Sequence, residues 1–135
     1  QATSMLHARQ ADAIAVSLSA LPVLGAVLLW PELPAEMAIH WGPKGPDTFV
    51  SKPLATFGLF AFAVGTIAFV RLAPNSLTNT PGGTTPTVLF LGFTFAWVEG
   101  LVVVWNLGFH FPIELAVVPI LVFAGVLVAY SYWRH

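Results

Sequence analysis

Ala13 to Trp30 reads AIAVSLSALPVLGAVLLW, eighteen residues without a charge. Crossing about 30 Å of hydrocarbon takes roughly 17–25 apolar residues in an α-helix, so the stretch reads as a transmembrane span. No basic run precedes it and no small-x-small site follows it, which argues against a cleaved signal peptide. Trp30-Pro31-Glu32 closes it with an interfacial aromatic and a helix stop.

Three further spans follow the same logic. Pro53–Val70 is free of charge and is closed by Arg71 and Pro74, and Thr87–Leu107 contains one acid, Glu99. The fourth, Ile113–Trp133, ends in Tyr130, Tyr132 and Trp133, an aromatic belt followed by Arg134. The expected architecture is all-α. It is a single four-helix transmembrane bundle over residues 1–135, with an ordered extracytoplasmic loop between helices 1 and 2.

Composition supports this and excludes several function classes. Of 135 residues, 57% are hydrophobic and 8% charged, whereas soluble domains carry about a quarter charged residues. A net charge of −1 offers phosphates no basic field, so nucleic acid is not an expected partner. Five Trp, two Tyr and eleven Phe exclude disorder. Zero Cys excludes disulfides, thiolate catalysis and Cys-based metal sites.

Loop charges orient the chain. Arg9, Arg71 and Arg134 would share one side of the membrane, against Lys44 and Lys52 on the other. This bias places both termini in the cytoplasm of a multi-pass cell-membrane protein, with the loop Pro31–Lys52 outside. The connector Ala73–Pro86 is uncharged, with a turn expected at Pro81-Gly82-Gly83. The short connection Gly108–Pro112 makes spans three and four antiparallel neighbours.

Small residues indicate packing. Gly92, Ala96 and Gly100 recur every four residues on span three, a stripe that lets a second backbone approach. Packing within the chain is the first reading, and contact with another subunit or a second copy is the alternative. Pro22 and Pro119 fall inside spans one and four, where each is expected to kink its helix.

Glu99 is the acid at membrane depth, where an ionised carboxylate is costly. Asn106 and His110 follow on the same helical stripe. A neutral Glu99 hydrogen-bonded to a neighbouring helix is the first reading. A proton or ion relay, or contact with a polar solute, is the alternative.

The first loop holds Glu32, Glu36, His40, Lys44, Asp47 and Lys52, and its four prolines and two glycines make it rigid. Gly45 permits a tight turn after Lys44 and Pro46 restrains the approach to Asp47. Trp41 and Phe49 suit seating on the interface. His40, Asp47, His110 and Glu114 would share the outer face and could offer a His/carboxylate metal site, but no metal-ligand spacing such as HExxH is present. There is no nucleophile elbow and no glycine-rich phosphate loop. Accordingly no catalytic residue, metal or cofactor is expected, and the chain reads as a non-enzyme.

The residues Pro34, His40, Trp41, Gly45, Pro46, Asp47, Ser51 and Lys52, in this order between two spans, resemble the N-terminal domain of unknown function of SdpI-type membrane proteins. The resemblance covers about residues 13–70. It departs at Ala38, where that family has proline, and in a His40-to-Asp47 spacing one residue shorter than the common form. It implies a role in immunity, sensing or signalling through the outer loop. The alternatives are an accessory subunit of a larger membrane complex and a proton, ion or small-solute transport unit built on Glu99. The lipid bilayer is the expected partner in every case.

Overall fold

A computed structural model describes residues 2–73 and 84–134 of the chain. The first helix, α1, runs from Ala2 to Leu28 and ends in a 3₁₀ turn, Trp30–Glu32. Two strands follow, β1 (Glu36–Gly42) and β2 (Gly45–Ser51). A π-helical turn, Leu54–Gly58, leads into α2 (Leu59–Leu72). Then come α3 (Thr84–Asn106), α4 (Ile113–Ala116) and α5 (Val118–Arg134). Four helical segments are long and apolar enough to cross a membrane: His7–Leu28, Leu54–Leu72, Thr84–Asn106 and Ile113–Tyr130. The chain is a polytopic, mostly helical membrane protein. The connector turn expected at Pro81-Gly82-Gly83 lies outside the described residues.

The expected loop is a β-hairpin, which adds a two-stranded antiparallel sheet to the helical bundle. Met37, Ile39 and Trp41 alternate with Glu36 and His40, a period-2 pattern that a strand satisfies by burying one face. Pro43-Lys44 forms the turn, and Gly45 leaves it at φ +108°, a conformation that glycine adopts without a Cβ penalty.

Span boundaries differ from the sequence expectation at helix starts. The first helix begins at Ala2, ahead of Asp12, and the third begins at Thr84 instead of Thr87. Asp12 is accommodated because Arg71 Nη2 and Nε donate to its Oδ1 at 2.8 and 3.0 Å. Thr85 Oγ1 accepts from Arg71 Nη1 at 3.5 Å, so α1, α2 and α3 are joined at this end of the bundle. Pro119 does not kink the middle of a helix. Lacking the N–H that the Leu115 carbonyl would take, it follows a break at Val117 and sits in the first turn of α5. Trp97 Nε1 donates to the Ala116 carbonyl at that break, at 2.6 Å.

Helices α1 and α3 form the tight pair. Ala15 and Val88 are fully buried and Gly92 is buried beside them. A Cβ built on Gly92 would stand 2.5 Å from Ala15 Cα, so only glycine lets the backbones cross here. Gly100 is different, since a Cβ there meets nothing within 4 Å. The stripe therefore works at its first position, where the crossing lies.

The fourth span packs more loosely. Phe123 of α5 stacks on Phe90 and Phe93 of α3, with centroids 5.4 and 5.1 Å apart. Only 6% of its apolar window is buried, against 28% for α3.

Gly92→Ala is expected to lower unfolding stability by about 1–3 kcal/mol through overpacking. Gly100→Ala should stay within about 0.5 kcal/mol of wild type. Denaturation of the purified chain in detergent measures both, and equal effects would contradict the assigned crossing.

Candidate functional site

Two regions bring polar chemistry together: the hairpin with its attachment to the bundle, and the surroundings of Glu99.

A two-stranded hairpin is marginal by itself in water, so its order comes from its supports. The inner face supplies one. Met37 and Leu33 join Ala26 of α1, Ala55 of the π turn and Val102 of α3 in one buried cluster, with Ile39, Trp41 and Val50 packed around it. Asn106 supplies the second. Its Oδ1 accepts from Ala38 N and its Nδ2 donates to Ala38 O, both at 2.9 Å. The same Nδ2 donates to Val102 O at 2.7 Å. The primary amide thus pairs with the outer edge of β1 as a neighbouring strand would. Lys52 supplies the third. Its Nζ donates to the Trp30 carbonyl at 2.8 Å and lies 5.0 Å from the centre of the Trp30 ring. Its backbone N donates to the Ala35 carbonyl at 2.8 Å. The cation so closes the C-terminal end of α1, where carbonyls lack helical partners.

The exposed side of the hairpin carries the polar pair. Ile39 and Asp47 have no opposite residue in the register, which pairs Ala38 with Phe49, His40 with Thr48 and Trp41 with Pro46. This irregularity aims Asp47 across the sheet. His40 Nδ1 donates to Asp47 Oδ1 at 2.7 Å, and Thr48 Oγ1 donates to the same oxygen at 2.9 Å. Asp47 Oδ2 stands where a Cβ on Gly42 would be, at 2.8 Å, so Gly42 makes room for the carboxylate. The His40 hydrogen bond, aided by Thr48, holds the Asp47 carboxyl below its ordinary value.

The motif residues therefore divide by task. Lys52 fixes the hairpin, Gly45 and Pro46 shape its turn, and Trp41 packs edge-on to Trp105 at 5.4 Å. His40 and Asp47 stay in the open with Thr48 and Phe49. Pro34 and Ser51 are exposed where the chain enters and leaves the hairpin. Beside His40 and Trp41, a groove of about 220 Å³ runs between β1, α3 and the break before α5, lined also by Val98, Leu101 and Ile113.

Glu99 is 4% exposed and faces α1. Ser19 Oγ, fully buried, donates to Glu99 Oε1 at 2.6 Å. The other oxygen, Oε2, is buried without a hydrogen-bond partner, as is Thr56 Oγ1 on the π turn. Both residues line a small cavity with Pro22, Ala26, Met37, Ala55, Leu59 and Val102. Its volume is about 10 Å³ for the centre of a water-sized sphere.

The expected stripe of Glu99, Asn106 and His110 does not run as one row. The helix ends at Asn106, and Gly108 at φ +108° turns the chain away, so His110 stacks on Trp105 with centroids 4.3 Å apart. Asn106 is committed to the hairpin backbone. Among the described residues, no group of three or more His, Asp or Glu stands close enough to hold a metal ion. Ser19, Thr56 and Met37 were not singled out in the sequence. A hydroxyl on span one and another at the start of span two were the available signals.

Residues 18–64 match a family profile described as a domain of unknown function, DUF1648. The matched stretch runs from the middle of α1 through the hairpin into α2, and so carries Ser19, the whole hairpin and Thr56. No similar protein was found among curated sequences and none among solved structures.

Asn106→Ala would leave two backbone groups of Ala38 unpaired, at about 1–3 kcal/mol each where they stay dry. Amide exchange at Ala38 should accelerate roughly tenfold or more, since each 1.4 kcal/mol is a factor of ten. Exchange at wild-type rates would show that Asn106 does not hold the strand.

The Asp47 shift gives a pH dependence with a defined sign. A carboxylate held below its ordinary value contributes stability above that value and loses it as pH falls through the folded value. The hairpin should therefore keep the His40–Asp47 contact down to pH values where an unfolded-chain Asp is already protonated. Carboxyl chemical shifts followed against pH test this, and His40→Ala should move the Asp47 midpoint up. An unmoved midpoint would remove His40 as the cause.

Proposed function

We propose that the chain is a non-catalytic recognition protein of the cell membrane, of the SdpI type, whose hairpin binds an extended peptide on the outer face. The role is immunity to, or sensing of, that peptide. The observation that carries this reading is the asymmetry of the hairpin edges. The edge of β1 is closed by Asn106, whereas β2 forms the other edge of a two-stranded sheet with Asp47, Thr48, Phe49 and Ser51 exposed. An open strand edge offers main-chain hydrogen bonds to an added strand, and alternate side chains supply specificity. Phe49 gives such a peptide an apolar contact, and the groove beside His40 and Trp41 gives it a side pocket. Rigid attachment matters too, because a preorganised edge avoids ordering costs on binding. The resemblance of the motif residues to SdpI-type proteins points the same way.

The sparse burial of α5 favours one addition to this reading, a second copy or a partner subunit lying against the fourth span within the bilayer.

The test uses a bacterial host sensitive to the secreted peptide toxin against which SdpI-type proteins protect. Expression of the chain should restore growth. Asp47→Ala and Phe49→Ala should lose at least tenfold in tolerated toxin at unchanged membrane levels. Absence of protection by the wild-type chain, or equal protection by both variants, would overturn the reading.

A further inference from the structure

We propose that the groove between β1, α3 and the break before α5 binds one phospholipid from the leaflet on the hairpin's side, with an acyl chain in the groove and the head group at His40. The placement of the walls carries this. Val98, Leu101, Ile113, Ala116 and Val117 line the groove, and all five belong to helical segments long and apolar enough to cross a membrane. His40 and Trp41 of the hairpin line it as well. Val98 stands eight residues before the end of α3 at Asn106, about 12 Å along a helix that rises about 1.5 Å per residue. Half of the hydrocarbon layer is about 15 Å thick. The groove therefore runs from the hairpin into the acyl region of a single leaflet.

Its chemistry suits an amphiphile. Of the residues that line it, His40 alone carries an exposed polar side chain, since Trp41 Nε1 is buried. Asp47 holds His40 Nδ1 at 2.7 Å, which leaves Nε2 for a second partner. The other side chains are aliphatic apart from the Trp41 ring. An acyl chain brings no group that needs a hydrogen bond, so such a lining satisfies it. A peptide backbone at this depth would need main-chain partners, and both backbone groups of Ala38 in β1 are taken by Asn106. The volume, about 220 Å³, exceeds the roughly 150 Å³ that holds a benzene molecule, so a length of acyl chain fits. The lipid site does not depend on the peptide reading above. A peptide side chain entering this groove would do so by displacing the lipid.

The walls are held in place by contacts outside the groove. Trp41 packs edge-on against Trp105 of α3 at 5.4 Å, which fixes the hairpin wall. Trp97 Nε1 donates to the Ala116 carbonyl at 2.6 Å, which fixes the wall at the break. Deeper in the bundle, Phe123 stacked on Phe90 and Phe93 keeps α5 against α3. A groove with walls set in advance binds without the cost of ordering them. That separates it from a bare helix face, where lipids exchange freely with the bilayer.

Native mass spectrometry of the full chain, extracted from bilayers of phosphatidylethanolamine and phosphatidylglycerol, tests this. The wild type should retain one phospholipid per chain. Val117→Phe, which narrows the groove, should lower the lipid-bound fraction about tenfold, and His40→Ala should lower it severalfold. Val122→Phe, exposed on α5 outside the groove, should leave it unchanged. The wild type also carries a test that needs no variant and decides the matter should Val117→Phe fail to fold. A phospholipid with a photoreactive diazirine in its acyl chain should label Val98, Leu101 and Val117 ahead of Leu121, Val122 and Val126 on the open face of α5. Absence of retained lipid, equal retention by Val117→Phe and Val122→Phe, or labels spread evenly along α5 would each overturn the proposal. A retained peptide mass in place of the lipid would overturn it in favour of a peptide side chain.

Discussion

The pairing of the Asn106 amide with both backbone groups of Ala38 is the contact on which the hairpin's position depends. A two-stranded sheet has two edges, and one that lies against a membrane bundle must satisfy its backbone groups there without water. A whole third strand would need its own chain segment. A primary amide offers the same donor and acceptor from a single side chain, and α3 ends at this residue. The helix end and the strand edge therefore satisfy each other. With β1 so placed, Met37 falls among Ala26, Ala55 and Val102, and His40 remains exposed.

The bundle below is held at two levels. At one end Arg71 binds Asp12, which lets α1 carry an acid close to its apolar stretch. Further along, the contact of Gly92 with Ala15 sets how closely α1 and α3 lie. That close approach brings Ser19 within 2.6 Å of Glu99. Without a hydrophobic drive between helices in lipid, backbone proximity and such polar contacts are what association rests on. The fourth span is held by the Phe90, Phe93 and Phe123 stacks and one Trp97 hydrogen bond.

The spans were legible because long apolar runs of about eighteen residues admit few other structures, and the helical, four-span architecture follows from their lengths and flanks. The hairpin was legible only in part. Prolines and glycines marked the loop as rigid, but Ala38 interrupts the polar–apolar alternation and Ile39 and Asp47 break the register, which blurs a strand signal. The division of the motif was hidden, because whether His40 or Lys52 faces water depends on contacts with Trp30 and Asn106, far away in sequence. His110 was misplaced for a similar reason. A helical stripe was carried past Gly108, whose positive φ ends it. Glu99 stood out as a lone acid, but its partner Ser19 is a single hydroxyl in an apolar run, a pattern common in any span.

The placement of charge then separates two kinds of polar group. His40 with Asp47 and Arg71 with Asp12 lie at opposite ends of the bundle, where each pair keeps partial contact with solvent. An exposed pair such as His40–Asp47 contributes little to stability, whereas Arg71–Asp12 is half-buried. Glu99 is 4% exposed and has no ion-pair partner among the described residues, with Ser19 as its hydrogen-bond donor. Met37 lines the same cavity as Glu99 and belongs to the strand that Asn106 holds by Ala38. Strand β1 therefore carries both the exposed His40 and one wall of the cavity beside the buried acid.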